Sequence, residues 1–162
     1  MEQAIRNKPK AEAAVAEDVA DQATIAAARA ALTAAGEQWT PMREAVFAQL
    51  SKQHRPISAY DIADQLSQER GKRVAPNSVY RILDLFVAKS IAMRIESANA
   101  YLANCHPGES QDCVFLVCDQ CGDAKHFDDA EVSRTVRALA DREGFRADRP
   151  VLEIRGRCED CS

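Results

Sequence analysis

The chain has 162 residues and a formal net charge of −4, a length that fits one large domain or two small ones. It contains no run of about 18 apolar residues, so no membrane span is expected, and its N-terminus carries Glu2, Glu12, Glu17 and Asp18 instead of the apolar stretch of a secretory signal. The chain therefore reads as cytoplasmic, and in a reducing compartment its six cysteines point to metal or redox chemistry in preference to structural disulfides.

The charge is unevenly spread. Residues 1–36 hold four Lys/Arg and five Asp/Glu, residues 37–97 hold nine and seven, and residues 98–162 hold eight and thirteen. Contact with phosphate belongs in the mildly basic middle.

In chain order, residues 1–21 are polar and alanine-rich with weak periodicity and read as a mobile arm. Ile25, Ala28 and Leu32 mark one helix face, stopped by Gly36. Thr40-Pro41 reads as a helix cap and first turn, followed by Val46, Phe47 and Leu50 on one face. Ser58, with Asp61 three residues on, caps a helix that buries Ile62, Ala63 and Leu66. Pro76 opens a further helix, in which Val79, Ile82, Leu83, Phe86 and Val87 form a buried stripe and Asn77, Ser78, Tyr80, Arg81 and Asp84 face away from it. Two short extended segments, Ala92–Glu96 and Ala100–Ala103, follow around a turn at Ser97-Ala98-Asn99. Helices followed by a small hairpin give the winged helix-turn-helix order, with the last helix presented to a major groove.

After Cys105 the pattern changes. Strands are expected at Val114–Val117, Ala124–Phe127 and Val151–Ile154. Between the last two lies a helix from a cap at Asp128 to about Arg142, with Val132, Val136 and Leu139 inside. The expected fold is α+β: a winged-helix domain over 22–104, a hinge over 105–112 and a small α/β dimerisation domain over 113–162. The second unit is small enough that metal or dimerisation is expected to support it.

Cys118-x2-Cys121 and Cys158-x2-Cys161, with 36 residues between the pairs, have the spacing of a tetrahedral four-thiolate zinc site. Such a site can supply on the order of 10 kcal/mol of folding free energy. A dithiol oxidoreductase would carry one such motif between a strand and a helix of a βαβ unit; that, or an iron–sulfur site, is the alternative. Cys105 and His106 at the junction, Cys113 opening a strand and His126 on the neighbouring strand can form a second, soft S2N2 set, which favours zinc over iron or manganese. Cys105 and His106 can both ligate only if the chain bends there; Glu96, Glu109, Asp112 or water can take the place of His106. His54 reads as a solvated surface histidine. No catalytic triad, phosphate loop or paired acid–base carboxylates stand out, so no enzymatic activity is expected.

Several motifs together resemble the ferric uptake regulator family, most closely its zinc uptake regulator branch, from about Thr40 to Cys161. They are Thr40-Pro41-Met42-Arg43, Ser58-Ala59-Tyr60-Asp61, Ser78-Val79-Tyr80-Arg81-Ile82-Leu83-Asp84, Glu96-Ser97-Ala98-Asn99-Ala100-Tyr101 and the two cysteine pairs. The resemblance implies a homodimer, a structural zinc at the paired cysteines, a regulatory zinc at the hinge, and metal-dependent binding of operator DNA that represses zinc-uptake genes. It implies DNA contact for Tyr80 and Arg81. Cys105 matches the family's hinge cysteine. The family's wing histidine falls at Met93, its later histidine at Cys113 and its carboxylate at His126, leaving an all-soft donor set. Arg81 is expected to read a guanine edge, while Tyr80, Arg73 and Lys72 hold the backbone or thymine methyls beside Asn77 and Ser78. An iron, manganese or peroxide sensor of the same family, and a protein–protein adaptor, are the remaining alternatives.

Overall fold

The computed structural model describes residues 10–53, 55–109, 112–127 and 129–162, with side chains from residue 22 onward. His54, the cap expected at Asp128 and the first nine residues lie outside the described residues. Four helices come first: α1 Lys10–Ala34, α2 Pro41–Ser51, α3 Ala59–Arg70 and α4 Pro76–Ala88. A hairpin of β1 Ala92–Ile95 and β2 Ala100–Ala103 follows. Then come β3 Cys113–Cys118, β4 Ala124–Phe127, α5 Ala130–Arg142 and β5 Val151–Gly156. No helix among the described residues is long and apolar enough to cross a membrane.

Local chemistry explains most boundaries. Thr40 and Ser58 accept hydrogen bonds from the backbone N–H groups of Arg43 and Asp61, satisfying donors that a helix start leaves open. Pro41 and Pro76 sit in the first turns of α2 and α4, where a missing N–H is harmless. α1 begins at Lys10, well before the apolar periodicity at Ile25. Its upstream half is rich in alanine, the best helix former, which sustains a helix without an apolar stripe. At the other end Asp129 caps α5 by accepting from the N–H groups of Glu131 and Val132.

Two cores result. The larger is built from Ala28 and Leu32 of α1, Val46, Phe47 and Leu50 of α2, Ile62, Ala63 and Leu66 of α3, and Val79, Leu83 and Phe86 of α4, closed by Ala92 and Tyr101 from the hairpin. Trp39 stacks on Phe86 and meets Phe47 edge-on, each at 6.0 Å between ring centroids. The smaller core joins the hairpin to the C-terminal sheet: Met93 and Ile95 pack with Cys113, Phe115, Val117 and Ala124. Alternation along the strands makes this possible. Ala92 and Tyr101 look into the helices, while Met93 and Ile95 look toward the sheet.

The C-terminal sheet has the order β4-β3-β5. β3 and β4 are antiparallel, and β3 and β5 are parallel, with α5 in the crossover that a parallel pair requires. The sequence places Val132, Val136 and Leu139 inside, yet no residue of α5 is buried in the protomer, and Leu139 is 53% exposed. The periodicity is that of an amphipathic helix, but its apolar face is left uncovered by the described residues.

Candidate metal centre and nucleic-acid interface

The β3–β4 turn and the C-terminus form a clasp. The N–H of Gly122 donates to the carbonyl of Cys118 (3.0 Å), closing the first knuckle with Gly122 at a φ of +73°. The N–H of Cys161 donates to the carbonyl of Cys158 (3.0 Å), closing the second. The N–H of Asp119 donates to the carbonyl of Gly156 (2.8 Å) and Arg155 pairs with Asp119, fastening one knuckle to the other. Ligand atoms of Cys118, Cys121, Cys158 and Cys161 all lie within 4.8 Å of one another.

The electrostatics of the clasp suit a soft dication. Backbone N–H groups of Cys121, Cys158 and Gln120 point at the Cys118 sulfur and bring its thiol down to about 6. The hydrogen bond to Cys158 and desolvation push Cys161 up to about 12. Four sulfurs this close repel one another as thiolates, and a divalent ion held among Cys118, Cys121, Cys158 and Cys161 would relieve that repulsion. All six cysteines are free thiols. Four convergent sulfurs with no carboxylate among them match zinc.

The second set is arranged differently. Among the described residues, the four clasp cysteines are the one group of three or more donors brought within 4.8 Å of one another. Cys105, His106, Cys113 and His126 are not gathered to that degree. They do lie along the junction. Cys105 Sγ and His106 Nδ1 are 3.3 Å apart, because the chain turns sharply there and two adjacent residues reach one side. Cys113 and His126 share the sheet face that meets the hairpin: the register pairs Phe115 with His126, and the two rings are 5.2 Å apart. Burial pushes the Cys113 thiol up, opposed by Arg149. Met93 packs in the same cluster as Cys113. Of the other donors, the carboxylate of Asp112 is held by two hydrogen bonds from Arg137, at 2.9 and 2.5 Å, and Glu96 pairs with Arg94 at 3.2 Å.

Sequence reasoning passed over Asn104, which organises this junction. It is buried; its Nδ2 donates to the carbonyl of Ser90 (2.7 Å) and its Oδ1 accepts from the N–H of His106 (3.0 Å). An asparagine at the end of the hairpin, directly before Cys105, was the available signal.

In the first domain, Lys72, Arg73, Asn77, Ser78 and Arg81 are all exposed around the start of α4. Tyr80 is half-buried. Its ring meets Tyr60 edge-on at 5.9 Å, and its hydroxyl accepts from Asn99 Nδ2 at 3.2 Å. The cap position Ala75 offers no side-chain bond to α4. The N–H groups of its first turn thus lack a side-chain cap, an arrangement suited to anions.

A winged helix in series with a four-thiolate clasp, with further soft donors at the junction between them, defines a metal-dependent transcription regulator as the class. The ferric uptake regulator family model matches residues 34–155, and the chain belongs to that family. It is 33% identical over 124 residues to the zinc uptake regulation protein of Escherichia coli (strain K12), covering 75% of this chain and 71% of that protein. The fold also resembles a zinc uptake regulator complexed with zinc and DNA: TM-score 0.78 at 30% identity, covering 86% of this chain and 93% of that one. Two forms of one further regulator, XcZur, are 31% identical to this chain. The holo form gives a TM-score of 0.74 (86% and 96% covered) and the apo form 0.50 (87% and 97% covered). Identity and coverage are nearly equal between the two forms, and the fold overlays more closely on the holo form than on the apo form.

Proposed function

We propose that the chain is a zinc-responsive transcriptional repressor that binds operator DNA as a zinc-loaded homodimer and controls zinc-uptake genes. The observation that carries this reading is a winged helix joined, through a junction with sulfur and imidazole donors, to a clasp of four convergent cysteines. Two zinc ions serve each protomer. One sits in the clasp of Cys118, Cys121, Cys158 and Cys161 and holds the C-terminus to the sheet. The other is regulatory and is held by Cys105, Cys113, His126 and His106. The 3.3 Å approach of Cys105 to His106 and the engagement of Asp112 by Arg137 favour His106 as the fourth ligand.

Regulatory zinc ties the hinge to the sheet and fixes the winged domain on the dimer core. A dimer reading two half-sites needs its recognition helices about one DNA turn apart. A bias of about 1–3 kcal/mol toward the competent state is enough to change occupancy strongly. Arg81 reads base edges from α4, Asn77 and Ser78 lie at its groove-facing start, and Lys72, Arg73 and Tyr80 hold the backbone. The homodimer is supported by the uncovered apolar face of α5 and the sheet, where Leu116, Phe127, Leu139, Phe145 and Ile154 are exposed.

The test is DNA binding by the metal-stripped protein, titrated separately with zinc and with ferrous iron. Binding that follows zinc at the lower free concentration is the expected result. Binding that follows iron and ignores zinc makes the chain an iron sensor.

A further inference from the structure

One strong contact between the two units involves neither cysteine nor histidine. Glu153 lies on β5 in register with Phe115, which in turn is paired with His126 on β4. His126, Phe115 and Glu153 therefore form one row across the sheet, on the face that meets the hairpin. The Glu153 carboxylate reaches out of the sheet to the turn between β1 and β2. Its Oε1 accepts from the N–H of Glu96 at 2.5 Å and its Oε2 from the N–H of Ser97 at 3.1 Å. Both are first-turn amides of the short 3-10 turn Glu96–Ala98. Burial raises the Glu153 carboxyl, but the Ser97 hydroxyl and these two amides outweigh it, and the group is held below the usual carboxylate range.

The turn that Glu153 holds is tied to the recognition helix. Asn99, at a φ of +46° just after the turn, donates from Nδ2 to the hydroxyl of Tyr80 and accepts at Oδ1 from Arg94 at 3.1 Å. A continuous path runs from the sheet through Glu153, the wing turn and Asn99 to Tyr80 on α4. A carboxylate accepting backbone N–H groups is a strong, directional anchor.

We propose that Glu153 is a positioning residue for operator recognition, docking the wing turn onto the dimerisation sheet and, through Asn99, setting Tyr80 and the recognition helix in register with it. Glu153 touches no DNA itself. The proposal rests on the reading of the chain as a DNA-binding regulator. It assigns to an acidic residue, in the most acidic part of the chain, a role in selecting a DNA sequence.

The test uses the zinc-loaded full-length protein and a duplex obtained by in vitro selection with the wild type, compared with a scrambled duplex. Glu153→Gln keeps size and one acceptor but removes the charge. It should weaken binding to the selected duplex about tenfold or more, the size of one lost charge-assisted hydrogen bond. Binding to the scrambled duplex and zinc stoichiometry should stay within twofold. Tyr80→Phe, which removes the hydroxyl at the far end of the path, should be non-additive with Glu153→Gln. Without DNA, the 15N-resolved amide signals of Glu96 and Ser97 should move upfield in Glu153→Gln. Wild-type discrimination by Glu153→Gln, additive losses, or unmoved amide signals would each overturn the assignment. If the wild type selects no duplex at all, the DNA-binding reading falls and takes this role with it; a selective wild type with an equally selective Glu153→Gln sinks only the role of Glu153.

Discussion

Phe115→Ala separates the two cores. Phe115 is fully buried in β3, packs against Met93 and Ile95 of the wing, and sets its ring against His126. It takes no part in the larger helical core. A buried Phe→Ala change costs about 3–5 kcal/mol, comparable with much of a small domain's total stability of about 5–15 kcal/mol. At a urea slope of about 2 kcal/mol/M, the midpoint of the C-terminal unit falls by roughly 1.5–2.5 M. Trp39 is the sole tryptophan and stacks in the other core, so its fluorescence reports the winged helix alone. The expected result is two transitions: far-UV circular dichroism loses an early phase while the Trp39 midpoint stays put. Zinc-dependent DNA binding should weaken in parallel, because His126 loses the ring that positions it. A Trp39 midpoint that falls by the same amount would refute the reasoning, since the chain would then unfold as one cooperative block.

Cys118→Ser should release the clasp metal and leave a protein that is protease-sensitive beyond Cys113, and a strong chelator should produce the same cleavage pattern in the wild type. Arg81→Ala should lose about 1–3 kcal/mol of operator binding with zinc content unchanged from the wild type, measured by fluorescence polarisation and metal analysis. Lys72→Ala, by contrast, should weaken selected and scrambled duplexes alike and flatten the salt dependence by about one unit. Leu139→Asp on the uncovered face of α5 should shift the protein to monomer in analytical ultracentrifugation and abolish operator binding.

Much of this arrangement was legible in the sequence because it depends on local chemistry. Thr40, Ser58, Pro41 and Pro76 announce their helices through caps and fixed φ angles, and the stripe from Val79 to Phe86 names the buried side of α4. The paired cysteines gave the clasp from spacing alone. What stayed hidden depends on non-local geometry. Parallel pairing of β3 with β5 leaves no signature in either strand, so the row His126–Phe115–Glu153 could not be read. Val132, Val136 and Leu139 have the periodicity of a core helix, and periodicity does not say whether the covering surface belongs to the same chain. Cys105 and His106, which a straight strand would send to opposite faces, come together because Asn104 bends the backbone around them.

The central claim is that a second zinc, at the hinge, switches DNA binding on. The direct test is operator affinity and zinc per protomer measured on the same samples as metal is added to stripped protein, for the wild type and Cys113→Ser. The account predicts that tight binding emerges only with the second equivalent, and that Cys113→Ser stops at one zinc, folded and unable to bind. Full operator affinity at one zinc per protomer, or in Cys113→Ser, would contradict it.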